Sequence, residues 1–491
     1  MTYAVPNTSA AGGVTDPRYY VVTSEGVVPI DVYPGTDLGA GMDCLIEQEV
    51  LGQRSERVPE RLSELLQSFG FEWEPLSEPG HMRFLGHAAF MLGQAKNNAA
   101  SVASSIFQSL DIPVLRLEGV SLVDPATPAM REYLRLTSIN AGLYGDSPYE
   151  VGGAGRSYLL RQTACFQKFS ACLSRSLVAD SLPVALFEIS DSFRHEPADT
   201  LQLSYRLRRY HLPEAHIHTR NVRDAVEMSL QLHPRILLTL SELEADLVLL
   251  ISATHEFACS NHDYFKLLAS HMKSPALLKV SPPGRMCQDG VEVDVEYKIV
   301  DSEGCCRELS TFQIDEQITK NFGVRCDNET TPSTIHSVFS GGVERYLYFI
   351  LDRIVRFESA GIRRRLPIWI SPVLARVVPL DAAAAQSALS IACQLSGAGI
   401  RTELDDRGHD LESAVGDADS LLVPYVVRVS AVPTGGNDIV SVRDFRSGIF
   451  RDREVRELIA EIQNAGVRTC ADKFQQLSRQ PFALRASQGY L

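Results

Sequence analysis

The chain has 491 residues, 45% hydrophobic and 22% charged, the balance of a globular protein of two or three domains. A formal net charge of −14 excludes a protein that coats nucleic acid nonspecifically, although basic stretches such as Arg363–Pro367 and Tyr205–His211 could still act locally. Apolar runs such as LFEI and LLVPYVV are far short of a membrane span, and the first residues lack a secretory pattern. The ten cysteines form no CxxC pair, which argues against a disulfide framework and for a reducing cytoplasm.

Up to Tyr33, YYVVTSEGVVPIDVY reads as a hairpin around SEG. ERVPERLSELLQSFGF carries Val58, Leu62, Leu65, Leu66 and Phe69 at helical spacing, and GHAAFMLGQAKNNAASVASSIFQSL continues as helix. IPVLRLEGVSL reads as a strand. LPVALFEISDSFRHE reads as a strand entering a turn, with SYRLRRYHL as its returning partner. VRDAVEMSLQLHPRILLTLSEL is helical, and VEVDVEYKIVDSEGCCRELSTFQI reads as two antiparallel strands. Adjacent strands flanked by helices define an α+β domain with an antiparallel sheet.

The pattern changes near Leu366–Pro372. PVLARVVPL, IRTELDD and LLVPYVVRVS read as strands; DAAAAQSALSIACQLSGAG, LESAVGDADS and REVRELIAEIQNAG read as helices. This is a small α/β domain with a mixed sheet. Three segments result: 1–55 as an extension with a hairpin, 56–365 as the main domain and 366–491 as the α/β domain.

Arg194 and Glu196 share one face at the end of a strand-like run, and Arg206 and Arg208 share parity on the expected return strand. Guanidinium forks suit phosphate oxygens. Tyr210 keeps the parity and could stack on a base. Arg345 lies in SGGVERYLYFIL, where glycines before a helix would let backbone approach a ligand. Any single arginine is more often a surface ion pair; several on one face make a nucleotide site the sharper expectation. Cys165, His216 and His336 offer one thiolate and two imidazoles, a donor set that suits zinc with a position left open. His211 and His218 flank His216, and spacing alone does not choose among them.

The segments LRQTACFQKF, LPVALFEISDSFRHE, RLRRYHLPEAHIHT, STFQIDEQITKNFGV, HSVFSGGVERYLYFILD and LPIWISPVLARVVPL together resemble archaeal-type threonyl-tRNA synthetases, members of the class II aminoacyl-tRNA synthetases. The likeness runs from about Glu56 to Glu461, with FRHE similar to motif 2 and GGVERYLYFIL to motif 3. It implies a class II catalytic domain over 56–365 and an anticodon-binding-like domain over 366–491. It also implies an ATP-dependent ligase that forms threonyl-adenylate and passes threonine to tRNA.

By the same resemblance, Cys165, His216 and His336 are zinc ligands whose ion binds the amino and hydroxyl groups of threonine. Arg194, Arg208 and Arg345 meet the phosphates of ATP, with magnesium. Glu196 lies near the adenine, and Tyr210 stacks on it. Glu214 and Gln313 line the amino-acid pocket. A homodimer is implied.

The chain departs from the family pattern at several points. Glu214 replaces an aspartate, and Val120 stands in place of the motif 1 proline. The loop ADTLQLS lacks the usual basic residues, and acidic residues follow the DDR landmark. No segment ahead of Glu56 has the length of an editing domain. These changes motivate an alternative, an adenylating paralogue that uses another amino acid or a carrier-protein acceptor.

Overall fold

In the computed structural model, residues 16–33, 38–52, 60–128, 130–131, 148–153, 155–174, 176–287, 290–431, 439–465 and 475–479 are described. The first 15 residues and Val58 lie outside them. The chain divides into two compact units, one of residues 1–63, 71–83 and 95–353, the other of residues 64–70, 84–94 and 354–491. No described helix is long and apolar enough to cross a membrane.

The first unit carries strands β1 (Arg18–Val22), β2 (Val27–Pro29), β3 (Phe71–Trp73), β4 (Met82–Phe84), β5 (Val114–Arg116), β6 (Leu122–Val123), β7 (Glu150–Gly153) and β8 (Arg156–Leu160). It continues with β9 (Val184–Phe193), β10 (Arg209–Thr219), β11 (Leu247–Ala253), β12 (Ala276–Val280), β13 (Val293–Val300), β14 (Cys306–Asp315) and β15 (Ser333–Val338). Ten of these form one sheet in the order β2-β1-β12-β11-β13-β14-β15-β10-β9-β5. The β11–β12 and β5–β9 pairs are parallel and the others antiparallel.

The expected hairpin forms as β1–β2, and the expected antiparallel pair forms as β13–β14. In the turn between β13 and β14, Asp301 Oδ1 accepts from the backbone N–H of Glu303 (3.0 Å) and of Cys305 (2.9 Å), which replaces lost ladder bonds. IPVLRLEGVSL splits into two short strands, β5 and β6. The return strand begins only at Arg209, so Arg194, Glu196, Arg206 and Arg208 all lie in the connection between β9 and β10.

Strand periodicity gives this sheet two chemically distinct faces. Register puts Ala215 and Ile217 of β10 beside Ser337 and Ile335 of β15, which in turn meet Phe312 and Ile314 of β14. The helix Val222–Leu240 packs on these three strands. Its N-terminus is capped by the Asn221 side chain, which accepts from Asp224 N. The opposite face is polar: Tyr210, Glu214, His216 and His218 from β10, Thr334 and His336 from β15, Gln313 and Asp315 from β14.

In the second unit, β16 (Ala375–Pro379), β17 (Thr402–Leu404), β18 (Tyr425–Val429), β19 (Ile439–Asp444), β20 (Phe450–Glu454) and β21 (Gln475–Gln476) form a mixed sheet in the order β20-β19-β18-β16-β17-β21. Its three predicted helices form as Ala385–Gly397, Leu411–Ser420 and Val455–Asn464. Val377, Ile391, Leu395, Val427, Leu458 and Ile462 share its core. The β19–β20 hairpin was not anticipated. Its signal is RSG between two alternating runs, with Gly448 at φ 67°. The acidic residues after the DDR landmark also have a structural role, since Asp417 pairs with Arg407 (2.8 Å) and Asp419 with Arg443 (2.7 Å).

Candidate active site

Cys165 opens the helix Cys165–Ser174, and His216 sits on β10 directly opposite His336 of β15. His336 Nδ1 lies 3.0 Å from His216 Nε2 and 3.7 Å from Cys165 Sγ. Glu214, two residues before His216 and on the same face, joins them. Its Oε1 is 2.6 Å from His216 Nε2 and 3.3 Å from Cys165 Sγ. All four ligand atoms lie within 4.8 Å of one another, a group that could hold a metal ion.

The arrangement fits zinc. Tetrahedral bonds of about 2.0–2.1 Å to nitrogen and 2.3 Å to sulfur separate two nitrogens by about 3.4 Å, and nitrogen from sulfur by about 3.6 Å. The observed separations of 3.0 and 3.7 Å lie close to both.

Geometry also decides among the histidines. His218 faces away from the group, with Nε2 3.4 Å from Cys172 Sγ and Nδ1 2.9 Å from Thr334 Oγ1. His211 is paired with Glu344 at 2.6 Å. The resemblance had singled out His216, and it is His216 that meets Cys165 and His336.

The surroundings set the charge state. Burial drives the His216 pKa well below its ordinary value, helped by His336 and the Lys168 cation, so its ring is neutral as a ligand must be. Burial and the Glu214 charge push the Cys165 thiol up, so its deprotonation falls to a bound cation. Burial would raise the Glu214 carboxyl, but Lys168 and the two imidazoles hold it well below the usual range. The Phe169 ring, 5.1 Å from His216 and 5.9 Å from His336, forms an apolar wall. Behind His336, Asp315 Oδ2 lies 3.2 Å from Nε2.

Farther along the same face of β10 comes Tyr210. It stands four positions before Glu214 along the strand, about 13 Å away. The Arg194 guanidinium lies 5.5 Å from the Tyr210 ring centroid. Arg345, on the first turn of the helix Val343–Ser359, pairs with Glu308 at 3.2 Å and covers the Tyr205 ring at 4.9 Å. The charges of Arg194 and Arg345 both act on the buried Tyr210 hydroxyl. Arg208 donates through Nη1 to Glu78 (2.6 Å) and through Nε to the Glu196 carbonyl (2.8 Å), and the Glu196 carboxylate holds Arg206 at 2.8 Å. Gln313 stands opposite His336 in register.

One glycine before the helix also has a structural role. Gly341 is at φ 83°, and a Cβ there would lie 2.4 Å from the Leu309 carbonyl oxygen. The close approach is to the chain's own backbone.

Sequence reading missed Lys168, Asp315 and Glu78. It also missed the network in which Arg161 holds Glu188 and Asp191, each at 2.7 Å. Glu188 lies opposite Glu214 across β9–β10, so Arg161 and Lys168 offset two facing carboxylates. In the sequence, the only signal was charge among apolar neighbours in CFQKF and ALFEI.

Solved structures with the same fold include the RNA binding domain of threonyl-tRNA synthetase from Cryptosporidium parvum Iowa II. It superposes with a TM-score of 0.66 at 16% identity over 83% of this chain and 99% of that one. Prolyl-tRNA synthetase from the same organism, complexed with L-proline and AMP, gives 0.58 at 14% identity over 82% and 74%. Residues 375–465 match the family described as the anticodon binding domain. The fold, with a mostly antiparallel sheet flanked by helices and this second unit, is that of a class II aminoacyl-tRNA synthetase.

Among sequence relatives, the threonine–tRNA ligase of Pyrobaculum aerophilum is 33% identical over 427 residues, covering 86% of this chain and 67% of that protein. That of Hyperthermus butylicus is 32% identical over 455 residues, covering 90% and 70%. The chain belongs to the threonine–tRNA ligase family, a family of ATP-dependent ligases, and spans about two-thirds of the length of these relatives.

Proposed function

We propose that this protein joins threonine to tRNA at the expense of ATP, with Cys165, His216 and His336 holding a zinc ion. The observation that carries this reading is the convergence of three distant ligand atoms on the sheet face that also bears Tyr210. The family relatives support threonine as substrate and do not favour the paralogue alternative.

When bound, zinc supplies a polarising centre for an amine and a hydroxyl, so valine, which lacks the hydroxyl, is rejected. The remaining work falls to side chains of the chain. Gln313 and Glu214 line the amino-acid pocket. Tyr210 offers its ring to the adenine, and Glu196 lies near it. Arg194 and Arg345 hold the phosphates, with magnesium, and Arg208 joins them once Glu78 releases it. A threonine carboxylate oxygen attacks the α-phosphorus, and the bond to pyrophosphate breaks as the new P–O bond forms. Guanidinium groups fixed in advance meet the charge that grows on the departing oxygen.

The anticodon-binding match supports tRNA as acceptor. The edge strand β5 exposes Val114 and Leu115, and Val120 beyond it is 64% exposed, which supports pairing of two copies there. A cytoplasmic setting and the division at 1–55, 56–365 and 366–491 complete the proposal. Exchange of pyrophosphate into ATP with threonine, followed by charging of threonine tRNA, tests it. Both are expected, and exchange without charging would sink the ligase reading.

A further inference from the structure

We propose that Glu214 is a two-position carboxylate, a fourth protein ligand of the metal at rest that moves to Lys168 when the amino acid takes its place. This rests on the reading of Cys165, His216 and His336 as metal ligands.

Position comes first. Glu214 is 4% exposed, and its Oε1 lies within 3.9 Å of all three other ligand atoms: 2.6 Å from His216 Nε2, 3.3 Å from Cys165 Sγ and 3.9 Å from His336 Nδ1. An oxygen so placed stands beside all three ligand atoms, and a lengthening of its 2.6 Å contact with His216 Nε2 by less than about 1 Å would bring it to ligand–ligand spacing. The strand enforces this. Residues 214 and 216 are two apart on β10 and project to the same side, and the glutamate chain is long enough to reach back over the imidazole.

A thiolate and a carboxylate together neutralise a dication, and a buried ion is stable only when so compensated.

The carboxylate has somewhere to go. Lys168 is fully buried, and its Nζ has no hydrogen-bond partner among the described residues. It lies 3.9 Å from the same Glu214 Oε1, and a shift of about 1 Å would turn that separation into a charge-assisted hydrogen bond. A buried ammonium without a hydrogen bond is costly, so the released carboxylate has a prepared destination. An amine and a hydroxyl arriving together provide two donors to displace one, and the open form of the site then exists only with the right amino acid in it.

The test uses the full chain loaded with cobalt(II), without ATP or tRNA. Cobalt affinity is read by chelator competition, and bound solvent by line broadening in ¹⁷O-water. Wild type is expected to show no bound water, and threonine is expected to shift its visible spectrum. Glu214→Gln should bind cobalt about tenfold or more weakly and admit water. Lys168→Met should keep the metal but need about tenfold more threonine for the same spectral shift, since the released carboxylate loses its partner.

Water bound to the wild-type cobalt, or a Glu214→Gln affinity within about twofold of wild type, would overturn the proposal. The wild-type water measurement decides the matter even if both variants fail to fold. Cys165→Ala with unaltered cobalt affinity would instead show that the underlying metal reading has failed.

Discussion

Asp315 Oδ2 lies 3.2 Å behind His336 Nε2, on the side of the ring away from the ligand atom. Asp315 is itself fully buried. It accepts from the backbone N–H of Ile318 (2.7 Å) and of Thr319 (3.2 Å) and from the Thr319 hydroxyl (3.0 Å), so its carboxylate cannot turn away. Burial would lower the His336 pKa, but the hydrogen bonds to Asp315, Cys165 and Glu214 hold it well above its ordinary value, so Nδ1 gives up its proton to ligate while Asp315 keeps the one on Nε2. Asp315→Asn is therefore expected to weaken metal binding by about 10–100-fold, read by chelator competition. An unchanged affinity would show that the ring is oriented by other contacts.

Arg345 sits between Glu308 and Tyr205, and its charge also acts on the Tyr210 hydroxyl of β10. Arg345→Ala should lower kcat for pyrophosphate exchange by about 10²–10³, with a smaller effect on KM for threonine. An effect confined to the KM for threonine would place the residue in the amino-acid pocket instead.

Gly341 carries a backbone demand. A methyl group there meets the Leu309 carbonyl, and the positive φ adds strain of roughly 1–3 kcal/mol. Gly341→Ala is expected to lower the Tm of the first unit and to displace the helix that carries Arg345. A calorimetric trace that matches wild type would refute the close approach.

Glu292 offers a pH test away from the ligand atoms. Burial, followed by the nearby Asp315 charge, raises its carboxyl from its ordinary 4.5 to about 7. Because the folded value is the higher one, its contribution to stability is present below about pH 4.5 and is lost as pH rises through about 7. Glu292→Gln keeps an acceptor for the Glu316 N–H and removes the charge. Its Tm should match wild type at about pH 4 and exceed it at about pH 8. A constant offset at the two pH values would contradict the assignment.

What could be read from the sequence follows from the range of the forces involved. Period-two and period-3.6 patterns are local, so the β13–β14 pair, the helix Val222–Leu240 and the alternation of the second unit were visible before any coordinates. Cys165, His216 and His336 were singled out by residue type and by resemblance, and the register of β10 with β15 brings them together. Register depends on partners far away in sequence, so the place of Glu214 inside the ligand group, the Asp315 support and the buried Lys168 had no local signature. The run SYRLRRYHL reads as strand from its first residue because its alternation persists. Instead Arg208 bonds to Glu78 and Gly80, which ends the ladder before Arg209.

The central claim is that three distant side chains hold a metal on which threonine activation depends. The direct measurement is threonine-dependent pyrophosphate exchange by metal-stripped protein titrated with zinc, alongside Cys165→Ala. Activity should be absent from the stripped protein, return at one zinc per chain, discriminate against valine, and never return in the variant. Exchange at full rate without metal, or in a variant that binds none, would contradict the account.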